Sequence, residues 1–289
     1  MASTTAPQAR SPAGVRVIPV RDVEDLTVVE VFNAGFRDYY HPVSIDLAGY
    51  REYLVTNDIS TDASFVAFVG DRPAGFTLTG VRGTRGWVGG LAVDSGFRRM
   101  GVGARLLTSQ IEALRERGVE EVRLEVIDRN LSARTLYERY GFRDNRKIWY
   151  FQNDHPRIKV LPSVLEITPC GVADVLSHYK QGHTWPKEVD SLRRTTDHSA
   201  VLARKDGEVV GYGVYLSAPE VLYIYDIGSR KYGEHILNHI IDKVRPPRIT
   251  IANVFDRRLA NVLADNGFMI SLALFEMKYP LVKRGFWPF

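Results

Sequence analysis

Leu124-Glu125-Val126-Ile127-Asp128-Arg129-Asn130-Leu131-Ser132-Ala133-Arg134-Thr135-Leu136-Tyr137-Glu138-Arg139-Tyr140-Gly141-Phe142 reads as a strand, a turn and a short helix in immediate succession. Val122 to Ile127 is rich in Val, Leu and Ile, the composition of a strand buried on both faces. Asn130 stands where a helix N-cap is expected, with the helix ending before Gly141. Glu125 is the anomaly. A carboxylate flanked by Leu124, Val126 and Ile127 has to be paired, linked to water or functional, because desolvating a bare charge is too costly.

Upstream lies Leu91-Ala92-Val93-Asp94-Ser95-Gly96-Phe97-Arg98-Arg99-Met100-Gly101-Val102-Gly103-Ala104, in which a strand ends, a loop turns and a helix begins at glycines. Val102, Leu106, Leu107, Ile111 and Leu114 trace one face of that helix, and Gly118 marks its end. Free N–H groups at a helix start carry the positive end of the helix dipole and accept phosphate oxygens. Glycine permits close approach of the backbone, and Arg98 and Arg99 add cationic donors. Two familiar phosphate motifs do not fit. The third glycine of a dinucleotide fingerprint is missing, and so is the Gly-Lys-Ser or Gly-Lys-Thr end of a P-loop.

The two segments together resemble the acyl-CoA-dependent N-acyltransferases of the GNAT (GCN5-related N-acetyltransferase) family. Arg98, Gly101 and Gly103 match its Arg/Gln-x-x-Gly-x-Gly/Ala coenzyme A motif. Residues 124–142 match Leu-Glu-Val-x-x-x-Asn-x-x-Ala-x-x-Leu-Tyr-x-x-x-Gly-Phe at every specified position. The resemblance implies that the backbone of Arg98, Arg99, Met100, Gly101, Val102, Gly103 and Ala104 holds the pyrophosphate. It also implies that Leu91, Ala92 and Val93 pair edge-on with the pantetheine arm, that N–H groups near Val93 polarise the thioester, and that Asn130 contacts the coenzyme.

Transfer of an acyl group to an amine requires an amine stripped of its proton, a stabilised thioester oxygen and a proton for the departing thiolate. In the family the amine attacks directly, so no covalent nucleophile is needed. Tyr137 matches the tyrosine that protonates the sulfur, and Glu125 the position where some members carry a base acting directly or through water. Asp38, Tyr39 and Tyr40 follow the first helix, where the family borders its acceptor pocket. Acetyl-CoA is the expected donor, with no metal. His235 and His239 have metal-ligand spacing on a helix but no third ligand.

Working outward, the chain reads as two unequal copies of one pattern. In the first half Val15 to Pro19 is a strand and Asp22 to Gly35 a helix. Ser64 to Val69 and Pro73 to Gly80 form a hairpin about Gly70-Asp71-Arg72. Trp87 to Val93 is a third strand, and Lys147 to Gln152 closes the unit. The second half repeats the order: strand Val164 to Ile167, helix Gly171 to Tyr179, and a hairpin of Val201 to Ala203 and Val209 to Tyr215. Strand Val221 to Ile227, helix Glu234 to Val244, strand Ile249 to Val254 and a short helix before Gly267-Phe268 complete it.

The fold class expected is α/β, of the α+β mixed-sheet kind, as two tandem GNAT domains. Residues 1–14 read as a disordered lead-in, 15–152 as the catalytic domain, 153–162 as a linker and 163–289 as a degenerate copy. Counting back from Gly267 as from Gly141, Tyr137 becomes Leu263, Asn130 becomes Asp256 and Glu125 becomes Ile251. Asp226 to Glu234 also lacks the glycine motif, and Glu234 would repel phosphate.

Composition narrows the classes further. The 289 residues are 45% hydrophobic and 25% charged, sufficient for real cores, and no apolar run is long enough to span a membrane. A net charge of +4, spread among mixed signs, suits an anionic coenzyme but forms no basic face for nucleic acid. The single cysteine, Cys170, excludes an internal disulfide and suits a reducing cytoplasm. The expectation is an acetyltransferase, monomeric or homodimeric, acting on a primary amine, a small molecule before a protein N-terminus or lysine. The rival from another class is a non-catalytic acyl-CoA sensor, which need not keep Tyr137 or Glu125.

Overall fold

The computed structural model describes residues 14–40, 43–157, 159, 161–162, 164–229 and 231–281. The expected lead-in, apart from Gly14, and parts of the expected linker lie outside the described residues. The chain divides into two compact units. One comprises Met1–Asn145 together with Glu276–Phe289, the other Arg146–Phe275. This division cuts the chain differently from the 15–152 and 163–289 reading. The strand expected to close the first half, Lys147 to Gln152, lies wholly in the second unit, and the described residues from Glu276 to Leu281 belong to the first.

The first unit begins with β1 (Val15–Pro19), α1 (Asp25–Phe36) and α2 (Leu47–Thr56). The hairpin strands β2 (Phe65–Val69) and β3 (Arg72–Arg82) follow, then β4 (Arg85–Val93), α3 (Val102–Glu116), β5 (Glu121–Ile127) and α4 (Leu131–Arg139). The sheet order is β1-β2-β3-β4-β5, antiparallel except for the parallel pair β4 and β5. Leu106, Leu107 and Leu114 of α3 are fully buried, as their spacing on one helical face requires. On the α1 side Val28, Phe32, Tyr50, Phe76 and Leu78 form a second cluster. A buried polar chain pins the middle of β3: Gln110 Nε2 donates to Thr79 Oγ1 (2.6 Å), which donates to the Ala63 carbonyl (2.6 Å).

The second unit contains most of β6 (Arg143–Asn153), then β7 (Glu166–Cys170) and the single turns α5 (Val172–Val175) and α6 (Val189–Leu192). After these come β8 (Ser199–Lys205), β9 (Glu208–Ala218), β10 (Val221–Gly228), α7 (Gly233–Val244), β11 (Ile249–Val254) and α8 (Arg257–Asp265). Its sheet order is β6-β11-β10-β9-β8-β7. Asp206 and Gly207, both at positive φ, turn the β8–β9 hairpin as a two-residue loop. The helix expected over Gly171 to Tyr179 is only the turn α5, because Tyr179 turns inward, its hydroxyl donating to the Lys187 carbonyl (2.9 Å).

Three labelled elements were not expected from the sequence: α2, the single turn α6 and β12 (Met269–Pro280). From Glu276 onward the chain belongs to the first unit, and β12 is ordered beside β5. Leu281 N–H donates to the Glu120 carbonyl (2.7 Å), Arg115 Nη2 donates to Tyr279 Oη (2.9 Å), and the Tyr279 ring packs 5.3 Å from Phe142. No helix among the described residues is long and apolar enough to cross a membrane.

Met277 is fully buried. Met277→Ala should therefore lower the unfolding free energy by about 2–4 kcal/mol in urea titration, the usual effect of emptying a core position. A loss below about 0.5 kcal/mol would show that the last strand is dispensable to the core.

Candidate active site

The site grows from one irregularity. β4 and β5 pair in parallel from Arg85↔Glu121 to Val88↔Leu124 and then part. On its other side β4 pairs with β3 through to Gly75↔Val93, but between Val88 and Gly90 it carries one extra residue, Gly89. This β-bulge bends the strand and increases its local twist. A Cβ on Gly89 would lie 2.6 Å from the Trp87 ring and 3.0 Å from Tyr53 Oη, so the bulge requires glycine. Tyr53, from α2, donates to the Gly89 carbonyl (2.7 Å) and fixes the bend. Beyond the bulge, Leu91, Ala92 and Val93 have no paired strand on the side away from β3 among the described residues.

The loop after β4 delivers α3 to the same place. Asp94 accepts from Gly96 N–H (2.8 Å), and Ser95–Phe97 make a single helical turn. Arg99 (φ 64°) and Gly101 (φ 78°) then reverse the backbone into α3. Gly101 offers no side-chain cap, so the first-turn N–H groups of α3 present their dipole outward. A Cβ on Gly103 would meet Leu136, Val93 and Leu91 at 3.6–3.7 Å, which places the helix start beside both the end of β4 and α4. Arg98, Arg99 and Met100 are exposed around it, with Arg98 Nε donating to the Val93 carbonyl (3.1 Å). Tyr140 ties α4 to α3 through the Ala104 carbonyl (2.8 Å) and Thr108 Oγ1 (2.7 Å).

Tyr137 is 6% exposed, its ring 5.7 Å from Phe142. Burial, with nearby Tyr39 adding to it, pushes its phenol well above the ordinary tyrosine range. Asn130 caps α4 by accepting from Ala133 N–H (3.2 Å), and its Nδ2 lies 3.5 Å from Tyr39 Oη. Burial raises the Tyr39 phenol as well, against the lowering effect of Asn130. Tyr40 donates to the Arg129 carbonyl (3.2 Å). Tyr39, Asn130 and Tyr137 thus form one group. Asp38, next to Tyr39 in the chain, is exposed, and among the described residues it makes no hydrogen bond or ion pair.

Glu125 is half-buried on β5 just past the point of parting, and its Oε2 accepts from Trp87 Nε1 (2.7 Å). The sequence reading gave Glu125 no partner and missed Tyr53. Laying β4 beside β5 in parallel register would have found Trp87, which pairs with Arg123 and so lies two residues along the strand from Glu125.

In the second unit the Gly-Phe register recurs as backbone geometry. Gly141 (φ 98°) and Gly267 (φ 78°) end α4 and α8, with Phe142 N–H bonded to the Tyr137 carbonyl (3.1 Å) and Phe268 N–H to that of Leu263 (3.0 Å). Asp256 caps α8 as Asn130 caps α4. β10 and β11 also part after Ile224↔Ile251, beside a bulge at Tyr225. By strand pairing the counterpart of Glu125 is Ala252 rather than Ile251, because the second half is one residue shorter between strand and cap. Leu263 is fully buried, and neither strand nor helix carries the carboxylate or phenol of the first half.

Residues 28–142 match the model of the acetyltransferase (GNAT) family. Human N-alpha-acetyltransferase 30 is 34% identical over 167 residues, covering 52% of this chain and 45% of the relative. The [ribosomal protein bS18]-alanine N-acetyltransferase of Salmonella typhimurium is 40% identical over 74 residues, 26% of this chain and 50% of the relative. The chain spans about half the length of the curated relatives it matches. Among solved structures, a GCN5-related N-acetyltransferase from Sphaerobacter thermophilus superposes with a TM-score of 0.70 at 14% identity, covering 93% of this chain and 96% of that one. A tandem GNAT protein from the clavulanic acid biosynthesis pathway gives 0.67 at 13%, covering 92% and 98%. The two structural likenesses show a tandem GNAT fold over the whole chain, and within it residues 28–142 are the part that matches the acetyltransferase (GNAT) family model.

Proposed function

We propose that the first unit transfers an acetyl group from acetyl-CoA to the α-amine of a polypeptide. The observation that carries the reading is the parting of β4 from β5 beside the uncapped start of α3, with a buried phenol close by. The pyrophosphate lies on the N–H groups and cations from Arg98 to Ala104, and the pantetheine arm adds to the open edge of Leu91, Ala92 and Val93 as a further strand does. The acceptor enters past Tyr39 and Tyr53. Its identity as an α-amine is supported by the names of the relatives, which act on protein N-termini. A small-molecule amine is the reading that the tandem layout favours.

In the reaction the amine gives up a proton through water to Glu125, which the Trp87 bond holds in place. The amine nitrogen attacks the thioester carbon, and the carbon–sulfur bond then breaks. Tyr137 protonates the departing thiolate. An acid with a raised pKa stays protonated at neutral pH, and the role is lost only as pH rises through that pKa. Since the phenol is raised above the ordinary value of 10, the role persists across the physiological range.

Release of free CoA thiol, followed with a panel of N-terminal peptides, lysine peptides and small amines, tests this directly. Turnover confined to free α-amines is expected; turnover only with small amines would reassign the acceptor, and binding of acetyl-CoA without turnover would make the protein a sensor. Tyr137→Phe should lower kcat about tenfold to a hundredfold with little change in the KM for acetyl-CoA. Wild-type kcat should show no alkaline fall traceable to Tyr137 below pH 10. Glu125→Gln should lower kcat/KM about tenfold near pH 7, with activity recovering as pH approaches the pKa of the amine itself. An unchanged pH profile in that variant would leave Glu125 a structural partner of Trp87.

A further inference from the structure

The second unit contains a cavity of about 210 Å³ where β10 and β11 part. Its lining is mostly apolar, with two basic side chains, Lys187 and His198, and a mouth marked by Tyr223, which is 45% exposed. Lys187 is 6% exposed. Its Nζ donates to the Ala252 carbonyl on β11 and lies 5.5 Å from the centre of the Tyr225 ring on β10, so the ammonium bridges the gap between the strands.

An ammonium has three N–H donors, and among the described residues only one of those of Lys187 meets an acceptor. Asp226 adds a favourable charge but is engaged elsewhere, accepting from Tyr212 Oη (2.7 Å) and lying 3.4 Å from His183 Nε2. Burial lowers the Lys187 pKa to about 8 and Asp226 opposes the fall, so the group is cationic at neutral pH. His198 Nδ1 is buried with no hydrogen-bond partner, and burial, opposed by Asp197 and aided by Lys187, keeps that imidazole below its ordinary pKa. A buried charge with spare donors and an unmatched ring nitrogen are costly unless water or a ligand satisfies them, and a carboxylate that displaces such water would meet both groups.

We infer that this cavity binds a small monocarboxylate with an apolar body, the carboxylate on Lys187 and His198 and the body against the strands. One ammonium and one neutral imidazole suit a single negative charge better than a phosphate dianion. A cavity of roughly 150 Å³ already admits benzene, so about 210 Å³ accommodates a ligand of benzoate size. The site depends on nothing in the first unit.

Isothermal titration of the full chain with sodium benzoate, and with benzyl alcohol as its uncharged analogue, tests the inference. Saturable benzoate binding is expected, at least tenfold stronger than that of benzyl alcohol, and Lys187→Met should weaken it at least tenfold. Ala252→Leu, which fills the cavity without removing a charge, should abolish it in a protein whose circular dichroism and melting are unchanged, and this variant decides the matter if Lys187→Met does not fold. No saturation with wild type at millimolar benzoate, equal binding of the alcohol, or undiminished binding in the folded variants would each overturn the site.

Discussion

A parallel pair of strands cannot both satisfy its shared ladder and leave a slot, and the first unit resolves this at Gly89. The four paired positions from Arg85 to Val88 hold β4 against β5, and the extra residue then turns β4 away while it stays bonded to β3. Everything needed to keep that bend is close by. Thr79, paired with Val88, is fixed by Gln110 and Ala63, and Tyr53 holds the Gly89 carbonyl. Backbone groups on the opened edge have lost their strand partner, and such groups seek another. The slot follows from that one inserted residue, and the start of α3 and the buried phenol of Tyr137 are set beside it by the loop at Arg99 and Gly101 and by α4.

Much of this was legible in the sequence because the elements concerned are built by local rules. Gly118, Asn130 and Gly141 punctuate helices through caps and positive φ, and α3 announces itself by its apolar face. The less legible parts depend on partners distant along the chain. Leu47–Thr56 mixes Gly49 and four aromatic or charged residues with few apolar ones, and its helicity comes from packing Tyr50 and Tyr53 on the sheet. The bond from Trp87 to Glu125 joins residues 38 apart and becomes visible only once the strands are paired. Lys187, between Pro186 and Glu188, reads as a surface loop lysine, and nothing local reveals that its ammonium ends in a core.

The two halves use the same backbone devices with different fillings. Both end a short helix with Gly-Phe, cap it with a polar residue and part a parallel strand pair at a bulge. In the first the bulge residue is Gly89, and the slot stays open. In the second it is Tyr225, whose ring lies beside the buried ammonium that bonds across to Ala252. A change of side chains at the parting separates a slot flanked by glycine from a cavity that carries a buried cation.

The assignment of Glu276 onward to the first unit also bears on how the protein is made. A ribosome releases residues 28–142 well before it reaches Met277, so the nascent first unit waits with the edge of β5 bare while the whole second unit is synthesised. Its final contacts span more than a hundred residues of sequence, as between Arg115 and Tyr279, and such contacts form late. Until then the exposed edge is the place where the chain is most open to pairing with other nascent chains. Completion of the first unit therefore waits on the synthesis of β12, and a chain cut short before Glu276 leaves that unit without its last strand.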